Sequence, residues 1–196
     1  MVYMQVIELV IDEDSDEIGV QAISVVNSPA VEVDWIALNK QVMLKASDDE
    51  KRTITGVALI PSKQIYRFDE EMGEYYIFFS KETIEKASQL FLKESNQNNA
   101  TYEHSYDFEG GVVVESWLVT DPNMDKSKHY GFDVPKGTWM ISMKIDNDKV
   151  WDDVKSQKIK GFSIEGFFSD KLQMKKLTKD EMLVQKLKDI INGKNT

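Results

Sequence analysis

Ser163 has the setting of a nucleophile. It lies in Lys160-Gly161-Phe162-Ser163-Ile164-Glu165-Gly166-Phe167-Phe168, a short run that opens and closes on glycine. Successive side chains of a strand point to opposite faces, so Phe162, Ile164 and Phe168 share one face and Ser163 and Glu165 the other. The hydroxyl is thus held on a stiff element with little bulk beside it. Gly161 and Gly166 admit a close neighbour, either another backbone or a ligand. A plain sheet-edge serine has the same surroundings, so the chemistry depends on what else the chain supplies.

A serine needs a base, and histidine is the commonest one near neutral pH. The chain has two histidines. His104 sits in Tyr102-Glu103-His104-Ser105, at the edge of a polar loop leading into a strand; His129 sits mid-loop in Lys128-His129-Tyr130-Gly131. Other chemistries find little support. There is no cysteine, which removes thiolate nucleophiles, disulfides and cysteine-based zinc sites. The two histidines lack the HExxH spacing of a metal site, and neither GxxxxGK[ST] nor GxGxxG is present. The G-x-S-x-G elbow fails because Glu165 stands where its last glycine belongs. No cofactor and no metal are expected.

The elements that must carry these residues are mostly strands. Residues 2–11 and 18–26 read as strands separated by an acidic turn, with Asn27-Ser28-Pro29 as the stop. Residues 31–45 hold another around Trp35, Ile36 and Leu38. Thr53–Ile60 is β-branched and apolar; Ile65–Phe68 and Glu74–Phe79 form a hairpin. Ser80 is an N-cap before a helix with Ile84, Ala87, Leu90 and Phe91 on one stripe. Val112–Thr120 is a strand, and the long connection 121–137 has the length of a binding loop. Thr138–Ile145 alternates strongly, with Trp139, Ile141, Met143 and Ile145 on one face; a short helix capped near Asn147 leads to the Ser163 strand. Thr178-Lys179-Asp180-Glu181 is a capping box opening an amphipathic C-terminal helix. This gives an N-terminal β segment (1–46), a core (47–170) and a C-terminal helix (171–196).

The 196 residues carry a net charge of −10, and 41% of them are hydrophobic. That composition suits one compact α+β domain. An acidic chain without a basic patch repels phosphates, so no nucleic-acid partner is expected. No stretch reaches the roughly 18 apolar residues of a membrane span, so no membrane partner is expected either, and the chain reads as cytosolic.

Several segments in order resemble one family. Glu103-His104-Ser105, Val113-Val114-Glu115-Ser116-Trp117, Pro135-Lys136-Gly137-Thr138-Trp139-Met140 and Gly161-Phe162-Ser163-Ile164-Glu165-Gly166 resemble the XkdF-like serine proteases of tailed phages and prophages, over about residues 53–168. The segment Ala22–Glu32 resembles the start of such phage morphogenesis proteins. That family is similar to prohead (capsid maturation) proteases and to the herpesvirus assemblins. The resemblance implies a mainly antiparallel β-barrel-like core with flanking helices, and it places the motif histidine on His104 and the motif serine on Ser163.

The third member stays open. Assemblins use a second histidine, and here His129 precedes the serine where theirs follows it. A carboxylate could orient His104 instead. Glu115, which alternation sets on a face with Val113 and Trp117, is the first choice; Glu165, sharing a face with Ser163, is the other. The resemblance further implies phage scaffold and capsid proteins as substrates, inside a prohead assembling in the host cytoplasm, with homo-oligomerisation left open. A non-catalytic scaffold or morphogenesis module on the same fold is the competing expectation.

Overall fold

A computed structural model describes residues 5–15, 18–29, 45–48, 52–70 and 72–171. In chain order the elements are β1 (Gln5–Val10), β2 (Gly19–Val26), β3 (Lys45–Asp48), β4 (Thr53–Leu59), β5 (Ile65–Asp69), β6 (Gly73–Phe79) and α1 (Lys81–Lys93). Then come β7 (Ala100–Tyr102), β8 (Tyr106–Asp107), β9 (Gly111–Leu118), α2 (Lys126–His129), β10 (Trp139–Ile145), α3 (Asp148–Lys155), β11 (Gly161–Phe167) and β12 (Ser169–Asp170). The expected strands at 31–45 and the C-terminal helix at 178–193 lie outside the described residues, apart from β3 at the end of the former.

The strands form three four-stranded sheets, ordered β12-β1-β6-β5, β3-β4-β10-β9 and β11-β2-β7-β8. The architecture is α+β and mostly sheet, as expected. The barrel-like closure is not found: the described sheets each end on free edges. Two of those edges, β8 and β12, are two-residue strands, too short to carry a ladder round into a neighbouring sheet. The pairing is mainly antiparallel, as expected, although β1 runs parallel to β6 and β2 parallel to β7. Both N-terminal strands are interior members of their sheets, and β2 is the one that pairs with the Ser163 strand β11.

The core follows the sequence pattern. Trp139, Ile141, Met143 and Ile145 of β10 all join the main apolar cluster. From the opposite face Met140 enters a second cluster with Val57, Val119, Phe132 and Val134. The 121–137 connection is thus packed onto the sheet by its own Phe132 and Val134. Helix α1 starts where Ser80 Oγ accepts the backbone N–H of Thr83, as a capping residue should. It buries Ile84, Ala87 and Phe91, and Phe91 meets Trp139 edge-on at 5.5 Å. Full burial of such a side chain stabilises the fold by about 1.5–3 kcal/mol.

Candidate active site

Strand β11 divides its side chains as its alternation requires. Phe162 and Ile164 turn to the main core, leaving Ser163 and Glu165 for the opposite face. The register then builds a polar row across three strands: Ser163 pairs with Ser24 on β2, and Ser24 with Thr101 on β7. All three are buried. Glu165 pairs with Ala22, whose small side chain lets the carboxylate pass over β2. Its Oε1 accepts the Thr101 hydroxyl by a short hydrogen bond.

The same oxygen meets His104 Nδ1 at 3.0 Å. An ionised carboxylate only accepts, so the contact favours a proton on Nδ1; in the neutral ring that leaves Nε2 as the acceptor, the tautomer a general base requires. The imidazole and the carboxylate are 44% and 33% exposed, so the pair is open to an incoming molecule. His104 and Glu165 are 61 positions apart in the chain.

His104 is held by an unusual turn. Glu103 and His104 both adopt the left-handed region, with φ of 52° and 53°. Such conformations cost about 1–3 kcal/mol each for non-glycine residues and persist only where the surroundings enforce them. Here they do. The His104 backbone N–H donates to Ser24 Oγ at 3.0 Å, and Ser24 Oγ in turn contacts the Thr101 carbonyl at 3.4 Å. The Glu103 carboxylate accepts the Asn27 N–H at 2.7 Å, and the Glu103 N–H donates to the Val25 carbonyl at 3.1 Å. Strand β2 thus holds the nucleophile candidate on one side and the base candidate on the other.

Ser163 is 3% exposed and borders a cavity that also touches Leu9, Leu59, Arg67, Ile77 and Phe168. Among the described residues its hydroxyl makes no hydrogen bond. The flanking glycines serve the chain's own packing: a Cβ on Gly166 would stand 2.1 Å from the Gly19 carbonyl oxygen, and one on Gly161 would stand 2.6 Å from the Pro29 ring.

The remaining candidates stand elsewhere. Glu115 is on β9, in another sheet. It accepts from Ser142 Oγ at 2.7 Å and pairs with Lys126 at 3.0 Å. The expected face shared with Val113 is broken by a bulge: β10 pairs Ser142 with Glu115 but Met143 with Val113, skipping Val114. The bulge re-aims Glu115 away from the main core that Val113 enters. His129 ends α2, exposed, its ring edge-on to Tyr130 at 6.0 Å. The carboxylate that meets His104 is Glu165, the alternative that shares a face with Ser163. Ser24 and Thr101 gave no sequence signal of a role, being a lone hydroxyl in an apolar strand and one beside a loop. Only the cross-strand register reveals them.

A family described as "putative phage serine protease XkdF" matches residues 40–171. The chain belongs to this XkdF family. It is 31% identical over 132 residues to the phage-like element PBSX protein XkdF of Bacillus subtilis (strain 168), covering 66% of this chain and 42% of that protein. It is 30% identical over 131 residues to the uncharacterized protein YqbD of the same organism, covering 65% of this chain and 35% of that protein. The chain therefore spans less than half the length of these curated relatives. No solved structure matches it. Within the XkdF-family match fall His104, Glu115, Ser163 and Glu165, whereas Ser24 lies before it. Among the described residues no helix is long and apolar enough to cross a membrane.

Proposed function

We propose that this chain is a serine endopeptidase of phage or prophage head maturation, with Ser163 as nucleophile, His104 as base and Glu165 as the carboxylate that orients it. The observation that carries the proposal is the His104 Nδ1 to Glu165 Oε1 contact, made on the sheet face that Ser163 shares by alternation. Ser163 Oγ attacks a peptide carbonyl while its proton passes to His104 Nε2, giving a tetrahedral intermediate and then an acyl-enzyme. The same proton is returned to the leaving amine, and water repeats the sequence to release the acid. Glu165 stabilises the imidazolium between these steps. The substrates on this reading are scaffold and capsid proteins within an assembling prohead, in the host cytoplasm.

A serine-reactive peptidyl phosphonate tests the chemistry directly. Labelling located at Ser163 by mass spectrometry, and abolished in Ser163→Ala, is the expected result. Scaffold cleavage unchanged by Ser163→Ala in a prohead assembly assay would overturn it. The low exposure of Ser163 favours one competing reading, a non-catalytic morphogenesis module on the same scaffold. A chain that supports assembly fully as the Ser163→Ala variant, and that no phosphonate labels, would be that module.

A further inference from the structure

The cavity bordering Ser163, of about 190 Å³, is walled by apolar side chains including Leu9, Leu59, Ile77, Phe79 and Phe168, and has one charged liner, Arg67. Ser163 and Ile164 border the cavity from β11, an outermost strand of its sheet. Arg67 reaches it from β5, where Ile65 and Arg67 are the more buried positions of the strand. The guanidinium donates through Nη1 to the Tyr66 carbonyl at 2.9 Å. Among the described residues no carboxylate lies within ion-pairing range of it. Burial is the largest influence on this group and pulls its pKa below the ordinary arginine value. A partly desolvated cation without an anion is costly to keep, and buried charges are ordinarily paired. An apolar recess with one unpaired, fork-shaped donor is complementary to a flexible methylene stem ending in a carboxylate.

We propose that this cavity is a side-chain subsite of the peptidase that receives an acidic residue, glutamate above all, near the scissile bond of the polypeptide substrate, with its carboxylate paired to Arg67. The inference rests on the peptidase reading of Ser163, and it adds the specificity that the reading lacks. Arg67 is a specificity-determining residue here and takes no part in bond breaking. A neutral isostere such as glutamine fills the same space but leaves the guanidinium unpaired, so the site discriminates by charge rather than by size.

Binding to the full-length Ser163→Ala chain tests the subsite without any chemistry. Acetylated hexapeptides identical except for one Glu, Gln, Leu or Lys would be titrated by calorimetry. The expected result is that the Glu peptide binds about tenfold tighter than the Gln peptide, a difference of about 1.4 kcal/mol. That preference should vanish with Arg67→Leu, be partly kept by Arg67→Lys, and turn toward the Lys peptide with Arg67→Glu. Equal binding of Glu and Gln peptides, no binding of either, or a Glu preference indifferent to Arg67 in variants whose circular dichroism matches the parent would each overturn the proposal.

A parallel series of phosphonates on the unmodified chain, with Glu-like, Leu-like and Lys-like side chains, separates this result from the peptidase reading. Ser163 labelled equally by all three leaves the nucleophile standing and removes the subsite. Ser163 unlabelled by any, while the Glu peptide still binds through Arg67, removes the nucleophile and leaves an acidic-peptide site.

Discussion

Two places in the molecule set a serine near a glutamate on a strand face, and they differ in what stands between them. On β10, Ser142 Oγ donates straight to Glu115 at 2.7 Å and also contacts Thr55 Oγ1 at 2.9 Å. Lys126 completes Glu115 at 3.0 Å and lies 3.8 Å from the Trp117 ring centre. Every partner there is satisfied by another fixed group. On β11, Glu165 takes its protons from His104 and Thr101, and Ser163 is left out of that bond. A serine locked onto a carboxylate is a structural tie. A carboxylate that spends itself on an imidazole, with the serine left to one side, is the arrangement that the proposed proton transfer requires. The two glutamates are alike in sequence terms, each one or two residues from a serine on an apolar strand, so the imidazole is the difference that matters.

The sharpest way to break this comparison is to neutralise each glutamate in turn. Glu165→Gln should lower the phosphonate labelling rate of Ser163 by about 10³–10⁴-fold, because the amide no longer enforces the tautomer. Glu115→Gln should leave that rate within a factor of about two and cost on the order of 1 kcal/mol of stability, measured by urea unfolding, given its half-exposed setting. Equal kinetic effects would dissolve the distinction.

Ser24→Ala comes next in size. It strips the acceptor from the His104 N–H and should slow labelling about tenfold. The loss of stability should be about 1–3 kcal/mol, from a peptide group left unsatisfied. The pH dependence of labelling should shift as well, which a purely structural loss would not produce. Asn27 holds the same turn through its backbone, so a side-chain change there should leave the rate unaltered.

The smallest effect concerns acid. The Ser142 hydrogen bond, then Lys126, hold the Glu115 carboxyl below its ordinary value against the opposing pull of burial. Its native pKa is depressed, so the unfolded chain binds the proton first as pH falls. Its contribution is complete above the unfolded value near 4.3 and is lost as pH drops through the lower native one. Unfolding midpoints of the parent and Glu115→Gln should therefore converge on acidification from pH 5 to about pH 3.

Much of the scaffold was readable from local pattern. The alternation of β10, the Ser80 cap and the Asn147 cap, whose side chain accepts the Val150 N–H, are all properties of neighbouring residues. The pairing of β11 face residues was readable for the same reason. What escaped was non-local. Closure into a barrel depends on how strands from distant parts of the chain meet, and two-residue strands such as β8 leave no trace in composition. The choice between Glu115 and Glu165 turned on a bulge at Val114 and on a contact spanning 61 residues. Alternation counts residues along one strand; a bulge changes the count, and only the partner strand records it.

The paired left-handed residues at Glu103 and His104 carry a consequence of their own. Their backbone is a cocked spring whose catch is strand β2. Slipping the catch would let both residues relax to the right-handed basin and swing the imidazole away from its glutamate. A chain built this way would lose its imidazole–carboxylate contact through a shift of one strand, and regain it when that strand is pushed home.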